Sequence, residues 1–233
     1  MSHDPVAGGA PSSAPSSDDG AHPAAEPRRP IWRNPYVWAA IGGMAAMTAL
    51  RPCLRRVPAP PPVVAKLPAY RLEDTAGRPS GSAELAGQVY HLALVRMSCA
   101  VHCVPVARAL KTLIRRYDYM KIPVQLVAVA VDPPAEARRG ASAYLAQRKL
   151  VSPRLRLLSG PPEALKPLLE ALARASGFAV PKGTTVSELE ALAHQARLYL
   201  IDAAGNLRGS YRTDELGTDE AYHRGLHVWL PKP

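Results

Sequence analysis

Residues 89 to 105 read Val89-Tyr-His-Leu-Ala-Leu-Val-Arg-Met-Ser-Cys99-Ala-Val-His-Cys103-Val-Pro105, and this stretch decides the fold class. Its first seven residues are mostly apolar and predict a buried β-strand, and an amphipathic helix is predicted from Pro105 onward. Two cysteines lie between them. At a spacing of four residues on a helix or its entry turn, their side chains reach one face within about 6 Å, which suits a disulfide or one shared soft metal ion. A helix N-terminus beside them would favour the thiolate.

The cysteine pair has three interpretations at this point. Free cysteine is among the most buried residue types, so two cysteines in a core helix need no function. The chain has only 3 cysteines in 233 residues and is long enough to bury an ordinary core, so it needs no disulfide framework. Redox chemistry and metal binding are the functional alternatives to simple burial.

The amino-terminal part of the chain predicts three segments before the globular domain. Residues 1–30 are rich in small and polar types and predict a disordered tail. Residues 35–50 carry no charge, are flanked by arginines on both sides and predict a single transmembrane helix that serves as an uncleaved anchor. Sixteen residues are short for a hydrocarbon core of about 30 Å, so the arginines would have to snorkel, and a buried globular helix is the alternative. Residues 51–67 predict a stiff Pro-rich linker.

The formal net charge of +10 raises the question of an acidic partner. The basic residues are dispersed, without an aromatic and basic surface motif, so we expect no nucleic acid partner. Several arginines bracket the predicted anchor, where anionic membrane lipid would attract them. Because the positive charge is similar on the two sides, it does not orient the anchor.

The globular domain is predicted over residues 68–233, with strands and helices in alternation. The predicted strands are 70–73, 89–95, 124–131, 155–158, 197–202 and 207–211, and the predicted helices are 82–87 (a single turn), from Pro105 onward, 135–149, from Leu165 onward and 219–229. Parallel units followed by an antiparallel hairpin predict an α/β, thioredoxin-like fold, with a central mixed sheet flanked by helices.

Together these motifs resemble the Sco/SenC family, the membrane-anchored, thioredoxin-like copper chaperones of cytochrome c oxidase assembly. The resemblance covers the anchor and roughly residues 68–211. Its elements are the strand and turn at 70–77, the Cys-x-x-x-Cys at Cys99 and Cys103, Val-Asp-Pro at 131–133, Leu-Leu-Ser-Gly-Pro-Pro at 157–162, and His194 shortly before Leu-Tyr-Leu-Ile-Asp-Ala-Ala-Gly at 198–205.

The resemblance implies a copper site made by Cys99, Cys103 and His194. Thiolates suit Cu(I), and imidazole also serves Cu(II). Asp132 matches an aspartate of the family and Glu136 stands where a second one is usual, which implies an orienting role outside the ligand set. The implied partner is a cytochrome c oxidase subunit or another copper chaperone. The implied location is a membrane, and in a bacterium the inner membrane with the domain in the periplasm.

The chain also departs from the family pattern. Proline follows the second cysteine one residue later than usual, at Pro105, and residues 96–98 replace the usual aromatic and threonine approach. Arg96 would lower the pKa of the Cys99 thiol if it lies close, or it is simply solvated. His102 is a less favoured substitute ligand, because on a helical entry it would point away from the cysteine face.

Two further functions fit the same residues. The first is a thiol-disulfide oxidoreductase, in which Cys99 and Cys103 form a redox-active disulfide that acts on cysteines of a partner protein. The second is a metal-free interaction module. We assign no catalytic residue, because delivery of copper requires no covalent turnover.

Overall fold

The computed structural model describes residues 31–54, 59–98, 104–191 and 195–230. The chain divides into two compact units, residues 1–56 and residues 57–233, and each is described by itself. The predicted tail at 1–30 lies outside the described residues.

The first unit contains one long helix. A short 3-10 helix (Ile31–Arg33) precedes helix α1 (Pro35–Leu54), whose large apolar side chains are mostly exposed. Among the described residues, we find no helix that combines the length and the apolar character needed to span a bilayer. The transmembrane anchor predicted at 35–50 is therefore not found, although a helix forms there. Its alanine and glycine residues contribute much less apolar character than leucine or isoleucine would.

The second unit alternates strands and helices as the sequence predicts. Its elements in chain order are β1 (Ala65–Lys66), β2 (Arg71–Asp74), β3 (Pro79–Gly81), β4 (Tyr90–Val95), α2 (Val104–Tyr119), β5 (Gln125–Ala130), α3 (Pro134–Gln147), β6 (Leu155–Ser159), α4 (Pro162–Ala175), α5 (Val186–Glu190), β7 (Arg197–Ile201), β8 (Asn206–Arg212) and α6 (Glu215–Trp229).

All eight strands belong to one mixed sheet, in the order β1-β8-β7-β4-β5-β6-β2-β3. Strands β4, β5 and β6 are parallel neighbours, and β7 pairs antiparallel with β4. Strands β7 and β8 form the predicted hairpin. The central mixed sheet with flanking helices confirms the predicted fold class for this unit.

Helices cover the two faces of the sheet and create two apolar clusters. Buried residues of α2, α3 and α6 pack on one face. Buried residues of α4 and Leu189 of α5 belong to the cluster on the other face. Strands β4 and β5 contribute alternate residues to both clusters, which explains why their sequences are almost continuously apolar.

Three local features differ from the sequence predictions. Strand β1 lies within the Pro-rich stretch and pairs with β8, and β3 forms from the Pro-Ser-Gly sequence at 79–81. Residues 82–87 form hydrogen-bonded turns rather than a regular helical turn, and end at Gly87 with φ +78°. A positive φ at this position explains the glycine.

Candidate functional site

The chain segments that flank the predicted site residues lie at one end of the sheet, where β4 and β5 end and β7 begins. Strand β4 ends at Val95, and β7 begins at Arg197. Because these strands pair antiparallel, with Ala93 opposite Leu198, the end of β4 lies beside the start of β7. Strand β5 runs parallel to β4 and ends at the same end of the sheet, two residues before Asp132. The topology thus brings together the chain that leads to Cys99 and the chain that follows His194.

The three predicted copper ligands themselves lie outside the described residues. This applies to Cys99, Cys103 and His194, and also to the alternative ligand His102. Within the described ranges, no group of three or more His, Cys, Asp or Glu side chains is arranged to hold a metal ion.

Helix α2 begins at Val104, directly after Cys103. Its first turn contains no acidic residue, so no carboxylate of that turn neutralises the positive end of the helix dipole. The amino-terminal N–H groups of a helix favour a negative charge, such as a thiolate, at this position. The predicted helix thus starts where the sequence places it, with its amino terminus at the cysteine segment.

Asp132 holds the chain that leads to Cys99. Its Oδ2 accepts a hydrogen bond from the Met97 backbone N–H at 2.6 Å, and its Oδ1 lies 3.4 Å from the Ser98 hydroxyl, which donates to it. Asp132 is buried. A buried carboxylate that accepts from a backbone N–H fixes the position of that backbone, because loss of the bond would leave a desolvated charge. The Met97 side chain packs towards α3, where it approaches Gly140.

Glu136 lies in the first turn of α3 and is exposed. Its backbone N–H donates to the Pro133 carbonyl at 2.9 Å. Among the described residues, no hydrogen bond or ion pair of its side chain reaches the segment 96–98. A carboxylate in the first turn of a helix interacts favourably with the helix dipole, which accounts for its presence there.

An ion pair joins the two segments that lead to the predicted ligands. The Arg96 Nη2 atom donates to Glu190 Oε2 at 2.9 Å, and the two side chains are 29% and 24% exposed. Arg96 follows β4, and Glu190 is the last residue of α5. The sequence predicts either an Arg96 close to the Cys99 thiol or a solvated Arg96, and it gives no sign of this ion pair. Because Glu190 compensates the guanidinium charge, Arg96 exerts less electrostatic influence on its surroundings than an unpaired arginine would.

Ala196, two residues after His194, adopts a left-handed backbone conformation with φ +48°. A residue with a Cβ rarely adopts this conformation. The Ala196 carbonyl accepts a hydrogen bond from the Thr213 backbone N–H at 3.1 Å, which ties it to the chain after β8. Strained backbone of this kind often occurs at functional sites, and no sequence pattern indicated it here.

Comparison with known proteins identifies relatives of the second unit. A family model described as SCO1/SenC matches residues 61–229. No curated protein matches the sequence. The solved structure of BsSco, described as a member of the Sco family of cytochrome c oxidase assembly proteins with a disulfide switch, is 17% identical, with a TM-score of 0.61, and the match covers 75% of this chain and 100% of that chain.

Two other solved structures have the same fold. A SCO1/SenC family lipoprotein from Bacillus anthracis is 18% identical, with a TM-score of 0.56, over 70% of this chain and 95% of that chain. Yeast Sco1, solved with copper bound, is 16% identical, with a TM-score of 0.53, over 73% of this chain and 96% of that chain. At these identities the similarity establishes the fold.

Proposed function

Because the chain belongs to the SCO1/SenC family, we propose that it binds copper and delivers it to a cytochrome c oxidase subunit or to another copper chaperone. In this proposal copper is the cargo, and Cys99, Cys103 and His194 are its ligands. Two relatives support the two halves of the proposal. Yeast Sco1 has been solved with copper bound, and BsSco is described as a member of a family of cytochrome c oxidase assembly proteins.

The observation that carries the proposal is the pairing of β4 with β7. The cysteines follow β4 by a few residues, and His194 precedes β7 by three residues. Antiparallel pairing places the end of β4 beside the start of β7, although the two strands are far apart in the sequence, and this supports one shared site for the three residues. The ion pair between Arg96 and Glu190 supports the same convergence from the flanking residues.

The donor set suits copper chemically. Two thiolates are soft ligands that favour Cu(I), and an imidazole accepts both oxidation states. A site of two sulfurs and one nitrogen leaves a coordination position through which a partner protein can take the ion. Asp132 has a supporting role in this proposal, because it fixes the backbone at Met97, two residues before Cys99. Glu136 is not assigned this role, because among the described residues its side chain makes no hydrogen bond or ion pair with residues 96–98.

The decisive experiment is a Cu(I) titration of the reduced full chain without oxygen, with X-ray absorption used to identify the ligands. We expect one tightly bound ion with two sulfur ligands and one nitrogen ligand. His194→Ala, Cys99→Ser and Cys103→Ser should each remove tight binding. The matched controls are Cys53→Ser and His223→Ala, which should bind copper like the unaltered chain. Tight binding in His194→Ala would refute the assignment of the nitrogen ligand.

A thiol-disulfide oxidoreductase is the second candidate function. The disulfide switch named for BsSco favours it, because the same two thiols would form the disulfide. One thiolate would attack a disulfide of the partner, and the second would resolve the mixed disulfide, which leaves the partner reduced and Cys99–Cys103 oxidised. Exchange that survives in His194→Ala but is lost in Cys103→Ser, in a chain that binds no copper, would favour this function. A folded chain without either activity would favour the metal-free interaction module.

Membrane association is a separate part of the proposal. Trp32, Tyr36, Trp38, Met44 and Met47 are all more than half exposed in the first unit, and such apolar side chains favour contact with lipid. Cell fractionation tests this directly. We expect the full chain to sediment with membranes and to resist extraction by salt, and a chain without residues 31–54 to remain in the supernatant. Equal behaviour of the two chains would contradict membrane association.

A further inference from the structure

An ion pair between Arg96 and Glu190 joins residues 96–98, the stem of the cysteine segment (99–103), to helix α5, the stem of the histidine segment (191–196). The two residues are 94 positions apart in the sequence, and their charged groups lie 2.9 Å apart. Arg96 is three residues before Cys99, and Glu190 is four residues before His194. Three or four residues of chain span at most about 11 to 14 Å. The pair therefore restricts the starting points of both ligand-bearing segments.

The backbone next to Arg96 is fixed by hydrogen bonding. Its neighbour Met97 donates its backbone N–H to buried Asp132 at 2.6 Å, and β4 ends directly before Arg96. The stem of the cysteine segment is thus fixed to both β4 and the end of β5. Because the backbone at Arg96 is fixed in this way, its guanidinium can restrict the movement of Glu190.

The Glu190 side belongs to a much smaller element. Helix α5 has five residues, and its first turn is stabilised by a capping box between Thr185 and Glu188. Leu189 is buried in the apolar cluster that covers one face of the sheet, and Val186 packs against the same cluster. Glu190 supplies a polar contact at the end of the helix, where the chain continues towards His194. Among the described contacts of α5, the ion pair of Glu190 is therefore the one that lies at its exit.

We propose that Arg96 and Glu190 are positioning residues that hold the histidine segment against the cysteine segment. The inference rests on the proposed copper-binding function, because it assigns the pair to the geometry of that site. Each side chain is about one quarter exposed, so solvent screens the pair less than a fully exposed one.

The test uses the full chain with Arg96→Gln, with Glu190→Gln, and with the exchanged pair Arg96→Glu plus Glu190→Arg. Hydrogen–deuterium exchange of residues 186–198 is measured in the reduced, metal-free protein, and Cu(I) affinity by competition with a chromophoric chelator. We expect each single variant to exchange about fivefold faster in this segment and to bind Cu(I) about fivefold more weakly. The exchanged pair should recover most of both losses.

Arg138→Gln is the matched control. It removes an ion pair with Glu73 at 2.8 Å that joins α3 to β2, with side chains 47% and 45% exposed. This variant should change neither quantity. Unchanged exchange in both single variants would overturn the inference. Faster exchange without any loss of Cu(I) affinity would also overturn it, because the pair would then stabilise α5 without positioning a ligand.

The two readouts separate this inference from the proposed function. If the unaltered chain binds no copper, the proposed function fails. The exchange data alone then decide whether the pair orders residues 186–198, with faster exchange in both single variants and its recovery in the exchanged pair as the supporting result.

Discussion

Acidification should destabilise the second unit through His91 at pH values where carboxylates are still ionised. His91 lies in β4 and is fully buried. Its Nε2 atom is 2.8 Å from the Tyr117 hydroxyl, while its Nδ1 atom is buried and has no hydrogen-bond partner among the described residues. Burial disfavours the charged imidazolium and lowers the pKa of His91 to about 3.

The size of the effect follows from proton linkage. In the unfolded chain His91 has a pKa of about 6.5, so between pH 6.5 and pH 3 the unfolded state binds a proton that the folded state excludes. The free energy of unfolding therefore falls as the pH falls through this window. Between pH 8 and pH 5 the loss amounts to about 2 kcal/mol, at a slope of about 1.4 kcal/mol per pH unit below pH 6.5.

The assay is urea denaturation of the full chain at pH 8, 6.5 and 5, followed by tryptophan fluorescence and circular dichroism. His91→Gln removes the titrating group, and this variant should lose about 2 kcal/mol less than the unaltered chain between pH 8 and pH 5. The exposed His223→Gln variant is the control and should keep the slope of the unaltered chain. Equal pH dependence in His91→Gln and the unaltered chain would refute the reasoning.

Three further predictions concern the packing, the hairpin and the backbone near the site. In Gly225→Ala the added Cβ would overlap the Tyr117 hydroxyl and lie 2.8 Å from His91 Nε2. Thermal denaturation should therefore show a loss of about 2 kcal/mol in the free energy of unfolding. In the control Gly140→Ala the added Cβ would meet only Met97, at 3.7 Å, and this variant should be neutral or stabilising. Burial raises the pKa of Asp202, but hydrogen bonds from Asn206 and Arg208 outweigh it and hold the pKa below its usual range. Asp202→Asn should therefore cost about 2 kcal/mol in urea at pH 7, and this difference should shrink as the pH falls below about 4; an equal difference at pH 3 would contradict the assignment. Ala196→Gly should raise the free energy of unfolding by up to about 1 kcal/mol, because glycine adopts φ +48° without strain, and a loss of stability would show that the Ala196 side chain matters more than its backbone.

The sequence was most informative where one element buries a continuous or periodic apolar surface. Strand β5 and helix α2 form close to the predicted bounds. The continuous apolar run of β5 and the helical spacing of apolar residues in α2 each indicate which side chains are buried. Strand β1 was not predicted, because it has two residues and depends on pairing with Asn206 and Leu207. Such pairing is a tertiary property that local composition does not encode.

The sequence predicts the ligand types of the candidate site, but it could not predict the contacts of the flanking residues. The spacing of the cysteines and the position of His194 indicated a site from the sequence, and these ligands remain a prediction. The contact of Arg96 with Glu190 could not be predicted, because it joins residues 94 positions apart. His91 was included in an apolar strand without a signal that its imidazole is buried.

Strand β1 has a practical consequence for the preparation of soluble fragments. The Val64 N–H donates to the Leu207 carbonyl at 2.8 Å, the Leu67 N–H donates to the Gly205 carbonyl at 3.2 Å, and Arg208 donates to the Pro61 carbonyl at 3.0 Å. A fragment that starts at Pro68 would lose this cover and present the unpaired backbone of β8 to solvent, where it would act as a template for strand addition. Such a fragment is therefore expected to self-associate, whereas one that starts at Val57 keeps β1 paired with β8 and should remain monomeric.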